Sequence, residues 1–209
     1  MYFLMNTSYQ ADMGKLIVLM GKSASGKDTI FNLLKADENL DLQQLVPYTT
    51  RPQRDGETDG ETYHFVTEED FNTLLQEGRV IEHRAYNTVH GLWRYFTVED
   101  EQINLTEHSY LLIGTLEAYV SIVAHFGREK VIPVMVTLDD GLRLERALGR
   151  EREQDHPKYE EMCRRFLADS ADYAQDKIDA AGIDRVFENH ASEKTAAEIS
   201  VYIKEQLLL

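Results

Sequence analysis

The feature that most constrains this chain is the order of its first three segments: a buried strand, a glycine loop, then a helix. Leu16–Met20 reads LIVLM, apolar at every position and too short for a helix, as in strands covered on both faces of a parallel sheet. Gly21–Thr29 follows at once as GKSASGKDT. Ile30, Leu33 and Leu34 then recur at i, i+3 and i+4, which predicts a helix from near Gly26 to Leu34–Asp37. The buried-strand signature returns at Tyr110–Ile113 and Val131–Val136, each followed by a helical stretch, Leu116–Phe126 and Asp140–Arg150. Such alternation implies an α/β fold, a parallel sheet flanked by helices with right-handed crossovers. Pro133 predicts that its strand is bulged or near an edge.

Between these strands the texture changes. From Tyr48 to about Thr97 there are short strand-like pieces at Tyr63–Val66 and Val80–Tyr86, with a helix at Thr67–Glu77 between them. Thr67 is its N-cap, with Asp70 three residues on. This reads as an inserted lobe, about 49–97, in a single domain whose core is 13–48 and 98–209. Glu151–Lys158 is wholly polar around one proline and reads as a mobile connection before a helix at Tyr159–Tyr173, with Met162, Phe166 and Tyr173 along one side. Asp184–Asn189 is a last strand and Lys194–Leu207 a closing helix.

Charge narrows the partners. With 22 Lys and Arg against 37 Asp and Glu the net charge is −15, and such a surface repels nucleic acid and anionic membrane. Runs such as Leu16–Met20 fall far short of the ~20 residues that span a bilayer. Met1–Asp12 lacks a basic segment, a sustained apolar stretch and a cleavage site, and reads as an extension, not a signal peptide. The lone cysteine, Cys163, fits a reducing, cytoplasmic setting and is expected to be a packed small residue beside Met162. The seven histidines show no metal-ligand spacing, which makes a zinc enzyme improbable.

The loop Gly21, Lys22, Ser23, Ala24, Ser25, Gly26, Lys27 matches G-x-x-x-x-G-K, with Asp28 at the position where a hydroxyl is usual and Thr29 one later. Its glycines let backbone N–H groups converge on phosphate oxygens, the helix N-terminus adds a positive dipole end, and Lys27 neutralises charge. Gly21 to Thr29 is thus the ATP site, and Asp28 the candidate carboxylate for Mg²⁺, directly or through water. A second phosphate site is readable in the segment TTRPQRDGE from Thr49 to Glu57. Arg51 and Arg54, three apart on a loop with Tyr63 shortly after, can converge on one phosphate dianion.

The stretch TTRPQRDGETDGETYHF resembles the monophosphate-binding loop of guanylate kinases, and the phosphate loop stands before it as in that family. The resemblance runs from about Lys15 to Leu207 and implies a nucleoside monophosphate kinase fold with a monophosphate-binding lobe and a lid at about 146–165. It implies transfer of the ATP γ-phosphoryl group to GMP, with Mg²⁺ as cofactor and small nucleotides as the partners. By the same resemblance Arg51, Arg54 and Tyr63 hold the acceptor phosphate, and Glu82 accepts hydrogen bonds from the guanine edge. His90 falls beside the glycine that follows, Arg146, Arg150 and Arg165 are the lid and catalytic arginines, and Asn189 lies by the adenine. Strand alternation independently puts Val80, Glu82 and Arg84 on one face. The chain departs from the family at Pro47, at His90 and Leu92 around Gly91, and at Leu111–Thr115. These departures predict weaker discrimination of guanine from adenine, because hydroxyls that would meet the base are gone. Two other readings stand beside this one. Gly26-Lys27-Asp28 also matches a ribose 1,5-bisphosphate kinase of the same lineage, and a non-catalytic module would keep the fold without needing Lys27.

Overall fold

The computed structural model describes residues 14–88 and 91–208. In chain order the elements are β1 Leu16–Met20, α1 Lys27–Lys35, β2 Leu42–Gln44, β3 Tyr48–Thr49, β4 His64–Phe65, α2 Glu68–Gln76, β5 Val80–Thr88 and β6 Gly91–Val98. After them come β7 Ser109–Ile113, α3 Leu116–Phe126, β8 Val131–Thr137, α4 Asp140–Arg152, α5 Tyr159–Asp172, α6 Gln175–Ala180, β9 Val186–Glu188 and α7 Ser192–Leu207. Five strands form a wholly parallel sheet in the order β2-β7-β1-β8-β9. β1 is central, so the loop leaving its carboxyl end opens at the place where α/β sheets bind ligands.

β1 is buried throughout, and its alternation divides the core. Leu16, Val18 and Met20 pack with Tyr119 and Ile122 of α3 and Ile178 of α6. Ile17 and Leu19 pack on the other face with Ile30 and Leu34 of α1 and Ile199 and Ile203 of α7. Each such side chain, removed from water, contributes about 1.5–3 kcal/mol. β8 is second from the sheet edge, yet β9 pairs only with Met135–Thr137. Pro133 pairs with Val18 of β1 and lies before β9 begins, on a flank where a missing N–H breaks no ladder among the described residues.

A second sheet, β4-β3-β6-β5, carries the inserted segment. Its inner face holds Phe96, which meets Phe71 of α2 edge to face at 4.9 Å, with Val98, Val66 and Leu74 around them. The Thr67–Asp70 capping box starts α2 as the spacing predicts. β2, β3, β6 and α6 are elements that the apolar pattern does not reveal. β6 reads GLWRYFTV, and its polar and aromatic residues on both faces hide the alternation. Cys163 is a correction: it is exposed, because Met162 and Phe166 take the covered side of α5 and Cys163 lies off it.

Candidate active site

Gly21 and Gly26 are required by space as well as by angle. A Cβ on Gly21 would stand 2.4 Å from the Val136 carbonyl oxygen, and one on Gly26 2.2 Å from Asn189 Nδ2. Gly26 also caps α1 in the left-handed region at φ 87°. Ala24 adopts φ 62° without being glycine. Lys27 lies on the first turn, its ammonium 3.9 Å from the exposed Asp28 carboxylate. Ser25 and Asn189 are fully buried, and Asn189 Nδ2 donates to the Ser25 carbonyl at 2.7 Å. Asn189 thus supports the loop from beneath in this structure.

The loop is pinned from the side of α4 and α5 by charges that sequence reading did not assign. Arg143 of α4 is fully buried. Its Nε donates to the Ser23 carbonyl at 3.0 Å, Nη1 to Asp140 at 2.5 Å and Nη2 to Asp169 of α5 at 3.3 Å. Its guanidinium lies over the Phe166 ring at 4.7 Å. Asp169 in turn accepts from the Ser23 N–H at 2.7 Å, and the Tyr173 hydroxyl accepts from the Gly21 N–H at 3.4 Å. Burial pushes the Tyr173 phenol up to about 12, against the smaller downward pull of that N–H. Lys22 reaches Asp140 at 3.4 Å. Asp140 and Arg143 have the i, i+3 spacing of a helical ion pair, a signal readable in sequence. Asp169 has no local signal, since its partners come from distant parts of the chain.

The remaining arginines of α4 and α5 are less committed. Arg146 sits one turn past Arg143, and its Nη1 lies 3.6 Å from where a Gly26 Cβ would be. Arg146 and Arg150 are exposed and form no ion pair with a described residue, so Glu145, Glu151 and Glu153 do not neutralise them. Arg165 shares Glu161 with Arg164 along α5, at 2.9 and 2.7 Å, and the two guanidinium groups hold the Glu161 carboxyl down at about 2.

In the lobe, Arg51 is almost fully buried and its fork grips Glu57 at 2.6 and 2.5 Å. The pairing holds the Glu57 carboxyl down at about 2. The guanidinium lies against the rings of Tyr63 at 5.0 Å and Phe65 at 5.3 Å. Arg54 is exposed, its backbone N–H donating to Glu57. The second sheet has two unlike faces. Register pairs His83 with Phe96 on the face that packs on α2. It pairs Glu82 with Thr97 and Arg84 with Tyr95 on the other, which continues through Tyr95 to Tyr63 at 5.6 Å and so to Arg51. Glu82 is buried, accepting from Thr97 Oγ1 at 2.8 Å and from Arg84 Nε at 3.2 Å. His90 lies outside the described residues.

The arrangement therefore offers a backbone cradle for one phosphate chain and a cationic and aromatic face for another anion. Residues 13–106 match a family model described as guanylate kinase. Guanylate kinase from Enterococcus faecalis is 38% identical over 76 residues, which is 36% of this chain and 37% of that protein. The enzyme from Oceanobacillus iheyensis is 37% identical over 89 residues, 42% and 43% of the two chains. The chain thus spans about two fifths of the length of the curated relatives it matches. A crystal structure of guanylate kinase from Anaplasma phagocytophilum superposes with a TM-score of 0.67 at 22% identity, covering 95% of this chain and 88% of that one. The family-model match lies within residues 13–106, and the shared fold extends over 95% of the chain.

Proposed function

From a guanylate kinase-like first half on a guanylate kinase fold, we propose that this protein transfers the γ-phosphoryl group of ATP to GMP, giving ADP and GDP. One observation carries the reading: Arg146 of the lid stands against Gly26 of the phosphate loop, while Arg51 and Tyr63 continue into a polar sheet face on the inserted lobe. In the proposed step an oxygen of the acceptor monophosphate attacks the γ-phosphorus as the bond to the β-bridging oxygen breaks and ADP leaves. The attacking oxygen is already anionic, so no protein base is needed; positioning and cationic stabilisation supply the rate. Gly21 to Thr29 hold the donor phosphates, Lys27 neutralises the transferring group, and Arg146, Arg150 and Arg165 close on it. Arg51, Arg54 and Tyr63 hold the acceptor phosphate. Lys22 and Arg143 keep the loop in place.

Mg²⁺ takes one or two carboxylates together with substrate phosphates and retained waters. Asp28, exposed on the first turn of α1 beside Lys27, suits that limited demand. Among the described residues no group of three or more His, Cys, Asp and Glu could hold a metal ion. Bound there, Mg²⁺ would supply neutralisation of charge between the β- and γ-phosphates. No helix among the described residues is long and apolar enough to cross a membrane. The acidic charge and the single exposed, unpaired cysteine support a cytoplasmic setting.

The test is an acceptor panel with ATP and Mg²⁺: GMP, dGMP, AMP, CMP, UMP and ribose 1,5-bisphosphate, read as kcat/KM. GMP is expected to lead. Turnover of the sugar bisphosphate with none of GMP would overturn the reading, and no turnover of any acceptor would favour a binding module.

A further inference from the structure

The acceptor face carries an arginine that the resemblance does not assign. Glu82 has only 3% of its side chain exposed, and both its oxygens are engaged, one by Thr97 and the other by Arg84. Arg84 is the more open partner at 18%, and neither of its η nitrogens donates to a described residue. Its neighbour across the ladder is Tyr95, whose ring lies 5.6 Å from Tyr63 and 5.8 Å from Tyr86. A flat ligand with its phosphate near Tyr63 and Arg51, lying along this face, therefore meets Arg84 before it meets the Glu82 carboxylate. The Arg84 charge also acts, as a minor downward pull, on the phenols of Tyr63 and Tyr173, both of which burial raises.

We infer that Arg84, held by Glu82, is the specificity-determining residue for the acceptor base, reading the O6 and N7 acceptors of a 6-oxopurine. The inference rests on the nucleotide-kinase reading above. Guanidinium has donors only. Guanine offers two adjacent acceptors, O6 and N7, which an arginine fork meets bidentately. Adenine offers N7 beside an amino donor, and two donors then face each other. Glu82 in this arrangement is a positioning residue: it fixes the fork through Nε and leaves the η nitrogens to the ligand. Pro47 and Leu92 bring no side-chain hydroxyl, and this mode of reading does not call for one.

The consequence differs from direct reading by Glu82. A carboxylate on the N1–H and N2 amino edge needs the 2-amino group, whereas an arginine on O6 and N7 is indifferent to it. Hypoxanthine keeps O6 and N7 and lacks the amino group; 7-deazaguanine keeps the amino group and lacks N7. We would measure kcat/KM for GMP, IMP, AMP and 7-deaza-dGMP, with dGMP as the sugar control. The proteins would be wild type, Arg84→Ala, Glu82→Gln and the pair Arg84→Met with Glu82→Gln, which leaves no charge unpartnered.

In wild type, IMP should lie within about threefold of GMP. AMP should fall roughly ten- to a hundredfold below GMP, and 7-deaza-dGMP a similar factor below dGMP, from loss of a bidentate contact. Arg84→Ala and the paired variant should bring GMP and IMP down toward AMP with the KM for ATP unchanged. Glu82→Gln, whose amide oxygen can still accept from Nε, should keep most of the preference. If IMP is tenfold or more below GMP, and the paired variant keeps the GMP/AMP ratio, Arg84 does not read the base, and the nucleotide-kinase reading survives. If wild type phosphorylates no purine nucleotide, that reading itself fails and this inference with it. The wild-type IMP and 7-deaza ratios decide the matter even where a variant does not fold.

Discussion

The glycine loop after β1 and the polar face of the second sheet are the two candidate anion sites, and they are made differently. The loop draws on backbone N–H groups within Gly21–Thr29, so its chemistry is packed into one short stretch. Its side chains matter mainly where they must be absent, as at Gly21 and Gly26. The sheet face draws on side chains from β5, β6 and the loop around β3 and β4, brought together by strand register. A backbone cradle is held by what lies behind it: Arg143, Asp169, Tyr173 and Asn189 all bond the loop's own N–H and carbonyl groups. A side-chain face is held by pairing within itself, as in Arg51 with Glu57 and Arg84 with Glu82. Loss of a residue behind the loop should therefore show as instability and slow turnover. Loss on the face should show as altered acceptor binding.

The sharpest break in this contrast is Lys27→Ala, the side chain on which the donor half most depends. Removing a cation from developing transition-state charge costs about 3–4 kcal/mol, a hundred- to thousandfold in kcat. Circular dichroism and the thermal midpoint should not move. Retention of more than a tenth of turnover would mean that Gly21–Thr29 is not the donor site.

Arg143→Leu comes next, at about 3 kcal/mol of stability in a denaturant titration, because it leaves Asp169 charged with its cation gone. Apolar replacement of both, Arg143→Leu with Asp169→Leu, should recover most of that stability, since well-packed apolar pairs replace buried ions at little cost. It should not recover kcat, because Ser23 has then lost both its anchors. Full recovery of both would reduce Arg143 to a packing residue.

On the acceptor side, Arg51→Ala should raise the KM for GMP about tenfold or more, through loss of charge-assisted hydrogen bonds of about 1.5–3 kcal/mol, with ATP affinity in calorimetry unchanged. Arg51→Lys should rescue only part of this, since a point charge has no fork to span Glu57 and a phosphate. Equal losses for the two ligands would erase the division between the halves.

A smaller effect is expected from pH. The native Glu57 carboxyl sits at about 2, below its ordinary 4.5. A depressed carboxyl contributes stability that is complete above its unfolded value and is lost as pH falls through the folded one. Between pH 4.5 and 2 the wild type should therefore lose stability more steeply than Glu57→Gln, as read by urea midpoints. Parallel slopes would show that Glu57 is not paired in solution. The smallest change is Ala24→Gly, which relieves a left-handed alanine and should raise the thermal midpoint by about 2 °C with turnover kept.

These two constructions explain how far reading the sequence could go. The glycine loop was legible because its shape depends on local backbone geometry, and the positions of Gly21 and Gly26 encode that directly. The helices with strong apolar periodicity, Leu116–Phe126 above all, begin and end where the pattern says. β6 was not legible: one of its faces sets Thr97 and Tyr95 beside Glu82 and Arg84 and the other packs on α2, so neither face is uniformly apolar. Cys163 misled, because a small residue next to Met162 on a helix can face either way until the helix is rotated against its neighbours.

By itself the sequence determined the α/β class, the glycine loop between β1 and α1, the arginine-rich insertion and the acidic surface, since each follows from local pattern or from composition. Only the tertiary structure decided which charges meet. Arg143, Arg146 and Arg150 share one helical face in the sequence, yet Arg143 is fully buried on Ser23, Asp140 and Asp169, while Arg146 and Arg150 stay exposed. Glu82 and Arg84 are two apart on a strand, and sequence cannot say which of them is open to a ligand. That depends on how the second sheet packs, which covers Glu82 with Thr97 and leaves Arg84 the more exposed of the two. The physical reason is that burial sets the cost of an unpaired charge, and burial belongs to the packed molecule and not to the residue.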